Sequence, residues 1–251
     1  MNKFVQRGLF LHIYPCILVV GMVVNMIVDR SQLDHQRETY YLLSSKNWAN
    51  QIFAYRGNLI WTALYIFLAC FQLYIRLSRA DSLPVDVRSA QERHLAKTVK
   101  PYIVKLGLKN LILMVIFLFI DRVFVWTGGS CSTSDTKSAE TCRRQHGQWA
   151  HGFDISGHFC FLTTVSLLLW LELRAAYRYM AVNEISSTRI WACIQAGVGA
   201  VVLVWAFLLC VTAIYYHTFA EKLLGLLVGY ICPAILYWVI PCHQKLNSVF
   251  Y

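Results

Sequence analysis

Six long apolar blocks constrain this chain more than any other feature of it. They run over residues 9–28, 58–75, 106–126, 153–173, 190–216 and 223–240. Each is close to the roughly 20 residues that an α-helix, rising 1.5 Å per residue, needs to cross a bilayer core. A soluble protein can hide one such helix at its centre. Six in a chain of 251 residues cannot all be hidden, because the lipid-facing surface they present together exceeds what so short a chain can cover. The expected fold is therefore all-α: a single polytopic domain, residues 1–251, with six transmembrane helices. The fourth block is the least apolar, since Asp154, Ser156, Gly157 and His158 precede its apolar run over 159–171.

The first block follows Lys3 and Arg7 and has no small-residue cleavage pattern immediately behind it, so it reads as an uncleaved signal anchor. The largest basic cluster lies between the second and third blocks: Arg76, Arg79, Arg88, Arg93, Lys97, Lys100 and Lys105. Arg174, Arg178 and Arg189 join it on the same side, as does Lys245 in the tail. Basic residues mark the cytosolic side, which places the N- and C-termini there. Residues 76–105, with Pro84 and Pro101, then read as a basic cytosolic loop carrying at most one short surface helix. Residues 127–152 read as a luminal loop.

The formal charge of +10 needs no nucleic acid to explain it. Basic residues beside a membrane set topology and meet anionic head groups, and no segment outside the blocks is large enough for a basic nucleic-acid-binding domain. Of the nine cysteines, Cys16, Cys70, Cys160, Cys193, Cys210 and Cys232 fall in the blocks and Cys242 at a cytosolic end. Cys131 and Cys142 share the luminal loop, where an oxidising compartment lets them pair, so they are the disulfide candidate.

Catalysis in such a protein falls to polar groups that a bilayer would otherwise exclude. Two segments stand out, Gly152-Phe153-Asp154-Ile155-Ser156-Gly157-His158 before the fourth apolar run and Tyr215-Tyr216-His217-Thr218-Phe219-Ala220-Glu221-Lys222 after the fifth block. By the topology above, both histidines arrive at the luminal face. Ser156, Gly157 and His158 open a helix, whose free amides and dipole favour an anion, with Gly157 permitting close backbone approach. Asp154 precedes His158 by four residues and orients its ring if that turn is helical. His217 and Glu221 have the same spacing, which on a helix puts them on one face. A carboxylate there fixes one imidazole nitrogen as a donor and leaves the other basic. Lys222 adds a positive charge for a phosphate. Such a pair suits phosphoester cleavage, with His217 as nucleophile and His158 as the acid that protonates the leaving oxygen.

The strings GFDISGH and YYHTFAEKLLGLLVG resemble the two signatures of the fat storage-inducing transmembrane (FIT) family, with which chain length and six spans also agree. That family is similar in turn to the lipid phosphate phosphatases. Ser156-Gly157-His158 matches the end of their second signature. His217 and Glu221 match the spacing of their third, with Glu where those enzymes usually have Asp. A Lys-x6-Arg-Pro segment, their first signature, is absent, and Val211-Thr212-Ala213-Ile214 stands where an upstream arginine belongs. Arg122, Arg143, Arg144 and Lys222 are the luminal cations left to hold phosphate, Lys222 favoured by adjacency.

The resemblance implies an endoplasmic reticulum membrane protein that cuts the pyrophosphate of a fatty acyl-CoA, without a cofactor, into acyl 4'-phosphopantetheine and adenosine 3',5'-bisphosphate, in support of lipid droplet formation. The alternatives are noncatalytic binding of diacylglycerol and triacylglycerol, or phosphatase action on phosphatidic acid. A metal site made from His146, His151 and His158 is disfavoured by its irregular spacing and lack of carboxylate partners. His12, His35, His94 and His243 fall in no constellation.

Overall fold

The computed structural model of the protein describes residues 8–80 and 88–250. Lys3, Arg7 and Pro84 lie outside the described residues, as do the side chains of Arg79, Arg88, Arg93, His94 and Lys97. The described chain is mostly helical, and six helices are long and apolar enough to span a membrane. The first span joins a 3₁₀ turn, Leu9–His12, to α1, Ile13–Ile27. A short polar helix, α2, Arg30–Thr39, follows it. A π-helical turn, Asn50–Ala54, leads into α3, Gly57–Ala80, and α4 runs unbroken over Arg88–Trp126. Two short antiparallel strands, β1 Ser130–Cys131 and β2 Trp149–Ala150, flank α5, Ala139–Arg144. The fourth and fifth spans are α6, Gly157–Val182, and α7, Arg189–Tyr215. The sixth is α8, Phe219–Ala234, which continues through a second π-helical turn, Ile235–Val239, into α9, Ile240–Cys242; α10, Gln244–Phe250, follows.

The described residues of the segment 76–105 are helical, not a loop. The α3 helix continues to Ala80, α4 is already formed at Arg88, and the basic residues beyond it lie on turns continuous with the third span. Ala90, Gln91, Glu92, Leu95 and Ala96 are good helix formers. Pro101 removes one backbone donor without ending the helix, a loss that membrane helices tolerate where neighbours re-satisfy the freed group.

The least apolar span is the innermost. Within α6, 78% of the span is buried, against 22–39% for the other five. Phe159, Leu162, Val165, Leu167, Leu168 and Leu169 are enclosed by neighbouring helices, while Val20, Leu59, Phe67, Leu118 and Leu203 face outward. A helix surrounded by protein can carry polar residues, provided each finds a partner. Glu172 of α6 is buried and does so: Lys105 donates to Oε1 at 2.7 Å, Gln72 donates to Oε2 at 3.0 Å, and the Tyr237 hydroxyl donates to Oε1. Tyr102 extends the network by donating to Gln72 Oε1 at 3.1 Å. Lys109, also buried, donates to Asn58 at 2.5 Å and lies 4.0 Å from the Trp61 ring centroid.

The α6 and α8 helices pack backbone against backbone. A Cβ on Gly225 would lie 2.5 Å from the Ser156 carbonyl oxygen, and one on Gly229 2.8 Å from that of Cys160. Gly225 and Gly229 form a small-residue pair at i,i+4, the spacing that lets membrane helices approach closely. The Thr164 hydroxyl then donates to the Gly229 carbonyl at 2.8 Å. This contact sets the two histidine-bearing segments side by side at one end of the bundle.

Candidate active site

Ser156 ends an extended stretch and caps α6, its hydroxyl accepting from the Phe159 amide at 3.4 Å. His158 therefore occupies the first turn of α6, and Asp154 lies outside the helix. The four-residue spacing does not bring Asp154 to His158, because the turn between them is not helical. A Cβ on Gly157 would meet only Phe117, at 3.5 Å, whereas one on Gly225 would lie 2.5 Å from the Ser156 carbonyl oxygen.

The partner of His158 comes from the first connection. Asn50, in the π-helical turn, places Oδ1 2.7 Å from His158 Nε2. The Asn50 amide nitrogen donates to the Ser45 carbonyl at 2.7 Å, which fixes the orientation of the group. Oδ1 must then accept, so Nε2 carries a hydrogen, and Nδ1 is the ring nitrogen not engaged by Asn50. Tyr55 meets the His158 ring edge-on at 6.1 Å, and the Arg143 guanidinium lies over Tyr55 at 3.8 Å from its centroid. Arg143 is the α5 residue next to Cys142, whose disulfide to Cys131 ties α5 to the strand pair. Trp149 of that pair stacks on Phe124 at the end of α4 at 4.3 Å.

His217 does not share a helix with Glu221. It sits between α7 and α8 with φ of 59°, a left-handed conformation uncommon for a residue with a Cβ. Thr218 is the N-cap of α8 and Glu221 completes a capping box, its Oε2 accepting from the Thr218 amide at 2.7 Å and hydroxyl at 2.9 Å. Glu221 also joins the two segments. Its Oε1 accepts from the Asp154 amide at 2.9 Å, and its main-chain carbonyl accepts from the Ser156 amide at 3.1 Å. Held this way, Asp154 faces His217 instead of His158. Its Oδ2 is 3.6 Å from His217 Nδ1, while Glu221 Oε2 is 3.9 Å away. Burial raises the Asp154 carboxyl above its ordinary range; His217 opposes the shift, and Glu221 and Asp121 add to it.

The favoured phosphate cation is engaged elsewhere. Lys222 is buried, and its ammonium donates to the Ala213 carbonyl at 2.7 Å. Arg144 pairs with Glu140 at 2.5 Å on the exposed face of α5, and Arg122 is exposed. Of the cations named from sequence, Arg143 comes nearest His158, through Tyr55. Among the described residues there is no cluster of three or more His, Cys, Asp or Glu able to hold a metal ion.

The profile of the fat storage-inducing transmembrane protein family matches residues 38–198 and 181–237, a stretch that includes both histidines and both carboxylates. The chain belongs to the FIT family. Among its relatives is the acyl-coenzyme A diphosphatase YFT2 of Saccharomyces cerevisiae, 41% identical, with 95% of this chain and 94% of that protein covered. The acyl-coenzyme A diphosphatase fit1 of Schizosaccharomyces pombe is 30% identical over 91% of this chain and 83% of its own. The human acyl-coenzyme A diphosphatase FITM2 is 28% identical over 40% of this chain and 41% of its own. No solved structure matches the chain. As a FIT protein it is a multi-pass membrane protein, in keeping with its six spans.

Sequence reasoning missed Asn50 and Tyr55 and could not rank Arg143. The one available signal for Asn50 was a polar residue set just ahead of an apolar block.

Proposed function

We propose that this FIT protein is a fatty acyl-CoA diphosphatase of the endoplasmic reticulum membrane, with both termini in the cytosol and its histidines facing the lumen. The observation that carries the reading is His217, whose Nδ1 faces Asp154 and Glu221 at the bundle end where His158 opens α6. The names of the relatives supply the substrate class.

A carboxylate on Nδ1 holds that nitrogen protonated and leaves Nε2 as the nucleophile. Nε2 attacks one phosphorus of the pyrophosphate. The bond from that phosphorus to the bridging oxygen breaks, and the oxygen leaves with the other half of the substrate, taking a proton from His158 Nδ1. His158, now neutral, takes a proton from water. The hydroxide so formed attacks the phosphohistidine and frees His217. The products are acyl 4'-phosphopantetheine and adenosine 3',5'-bisphosphate. Diacylglycerol and triacylglycerol enter as further partners on the family resemblance.

The test is product analysis by mass spectrometry, giving purified protein oleoyl-CoA and, in parallel, phosphatidic acid. Acyl 4'-phosphopantetheine from the wild type but not from His217→Ala is the expected result. Phosphate release from phosphatidic acid alone would make it a lipid phosphatase, and no product from either would remove the enzyme reading.

A further inference from the structure

His217 lines an open cleft of about 430 Å³ between the end of α1, the α2 helix and the α7–α8 junction. Its charge is unbalanced. Arg30, Arg37 and Lys222 line it together with one carboxylate, Asp34, so these four side chains carry two net formal positive charges. Arg30 and Arg37 are seven residues apart on α2, two helical turns along one face and about 10 Å apart in rise.

These residues are presented in a defined way. Asp29 caps α2, accepting from the Ser31 amide at 3.3 Å. Arg37 donates to the Tyr215 carbonyl at 3.4 Å, lies 5.5 Å from the Tyr216 ring centroid and pairs with Asp34 at 3.3 Å. Tyr215 in turn donates to Gln36 at 2.9 Å, and Tyr216 to the Leu43 carbonyl at 2.9 Å. The helix is thus fastened to the residues just before His217. Arg30 is exposed, and among the described residues no hydrogen bond or ion pair engages its guanidinium.

We propose that this cleft is the subsite for the adenosine half of the substrate, with Arg30 and Arg37 receiving its 3'-phosphate. The proposal rests on the acyl-CoA reading above. In that substrate the reacting pyrophosphate and the 3'-phosphate hang from the same ribose. A pyrophosphate held at His217 therefore puts the 3'-phosphate within one nucleoside of it, and His217, Arg30 and Arg37 line the same cleft. Arginine suits the task, since its planar fork donates two parallel hydrogen bonds to phosphate oxygens. Lys222, occupied by Ala213, adds positive potential at the wall without reaching into the cleft. The cleft then distinguishes CoA from its 3'-dephospho form, and it does so before the chemical step.

Binding is the measurement, because it does not depend on turnover. Purified full-length protein in detergent is titrated with adenosine 3',5'-bisphosphate and with adenosine 5'-monophosphate by calorimetry. The bisphosphate is expected to bind at least about tenfold more tightly, as one charge-assisted phosphate contact implies. Arg30→Ala and Arg37→Ala should each shrink that ratio, and Arg37→Lys should restore it in part. Arg30 is exposed, so its variant reads the subsite even if Arg37→Ala fails to fold.

Equal binding of the two nucleotides overturns the proposal, whether or not acyl-CoA is hydrolysed. Displacement of the bisphosphate by phosphatidic acid vesicles but not by phosphatidylcholine vesicles would assign the cleft to a lipid head group and overturn it too. Discriminating binding without any hydrolysis would keep the subsite and remove the enzyme reading.

Discussion

Nδ1 of His217 lies 3.6 Å from Oδ2 of Asp154, although the two residues belong to segments separated in sequence by two membrane spans. What joins them is Glu221, which caps α8 with one oxygen and holds the Asp154 amide with the other. The carboxylate that serves His217 is thus carried by the segment that serves His158, and the two halves of the site are built as one.

Removing the Asp154 charge should separate activity from stability. Asp154→Asn keeps the shape and loses the carboxylate, so turnover should fall by about 100-fold or more. Its folded-state pKa is raised, so the stability it contributes is fully present below the ordinary Asp value and is lost as pH rises through the folded value. At neutral pH the ionised group is therefore a burden, and Asp154→Asn should melt at the same temperature as the wild type or higher. A lower melting temperature at pH 7 would show that the carboxylate is structural.

Asn50 should act through His158. Asn50→Ala removes the acceptor that fixes Nε2 as a donor, costing on the order of 1 kcal/mol and several-fold in kcat. Asn50→Asp keeps an acceptor and should recover part of the loss, with the alkaline limb of the pH–rate profile, where the general acid loses its proton, moved upward because a carboxylate favours imidazolium. A profile unchanged in both variants would detach Asn50 from the chemistry.

The glycine contact should be the most sensitive packing site. In Gly225→Ala the new methyl would sit 2.5 Å from the Ser156 carbonyl, so α8 must move away from α6. Overpacking of this kind costs about 1–3 kcal/mol. Thermal unfolding in detergent should show the loss, and turnover should drop with it because the histidine segments separate. Wild-type values for both would mean that the helices slide freely.

Glu172 is far from the histidines along α6, and its loss should be a stability defect. Glu172→Ala removes the buried acceptor shared by Lys105, Gln72 and Tyr237, and breaking a buried pair costs about 3–5 kcal/mol; Glu172→Gln, which keeps the acceptor for Tyr237, should cost less. Unfolding midpoints of the two variants check the order.

Opening the Cys131–Cys142 bridge by Cys131→Ser should lower stability by about 2–3 kcal/mol on a chain-entropy account of so short a loop. Arg143, next to Cys142 and over Tyr55, is the route by which the same change reaches His158. Mobility on a non-reducing gel reports the bond, and the melting temperature its worth.

The span count was legible in the sequence because bilayer thickness imposes one length on every crossing helix, and a run of apolar residues records it without reference to any neighbour. That His217, Asp154 and Glu221 gather at one end of the bundle was legible for a similar reason, since the segments that carry them border apolar blocks on the same side. Pairings were not. A spacing of four residues joins side chains only inside a helix. Ser156 starts α6 too late for Asp154 to reach His158, and Thr218 starts α8 too late for His217 to share its face with Glu221. Lys222 looked available because its neighbours in sequence are catalytic candidates, yet helical geometry turns it toward Ala213. Asn50, Tyr55 and the α6–α8 glycine contact arise only when distant segments meet, and the low hydropathy of the fourth block made sense only once it was found at the centre of the bundle. Local composition decides which segments enter a membrane; which side chains face one another is decided by capping and helix packing, which no single segment contains.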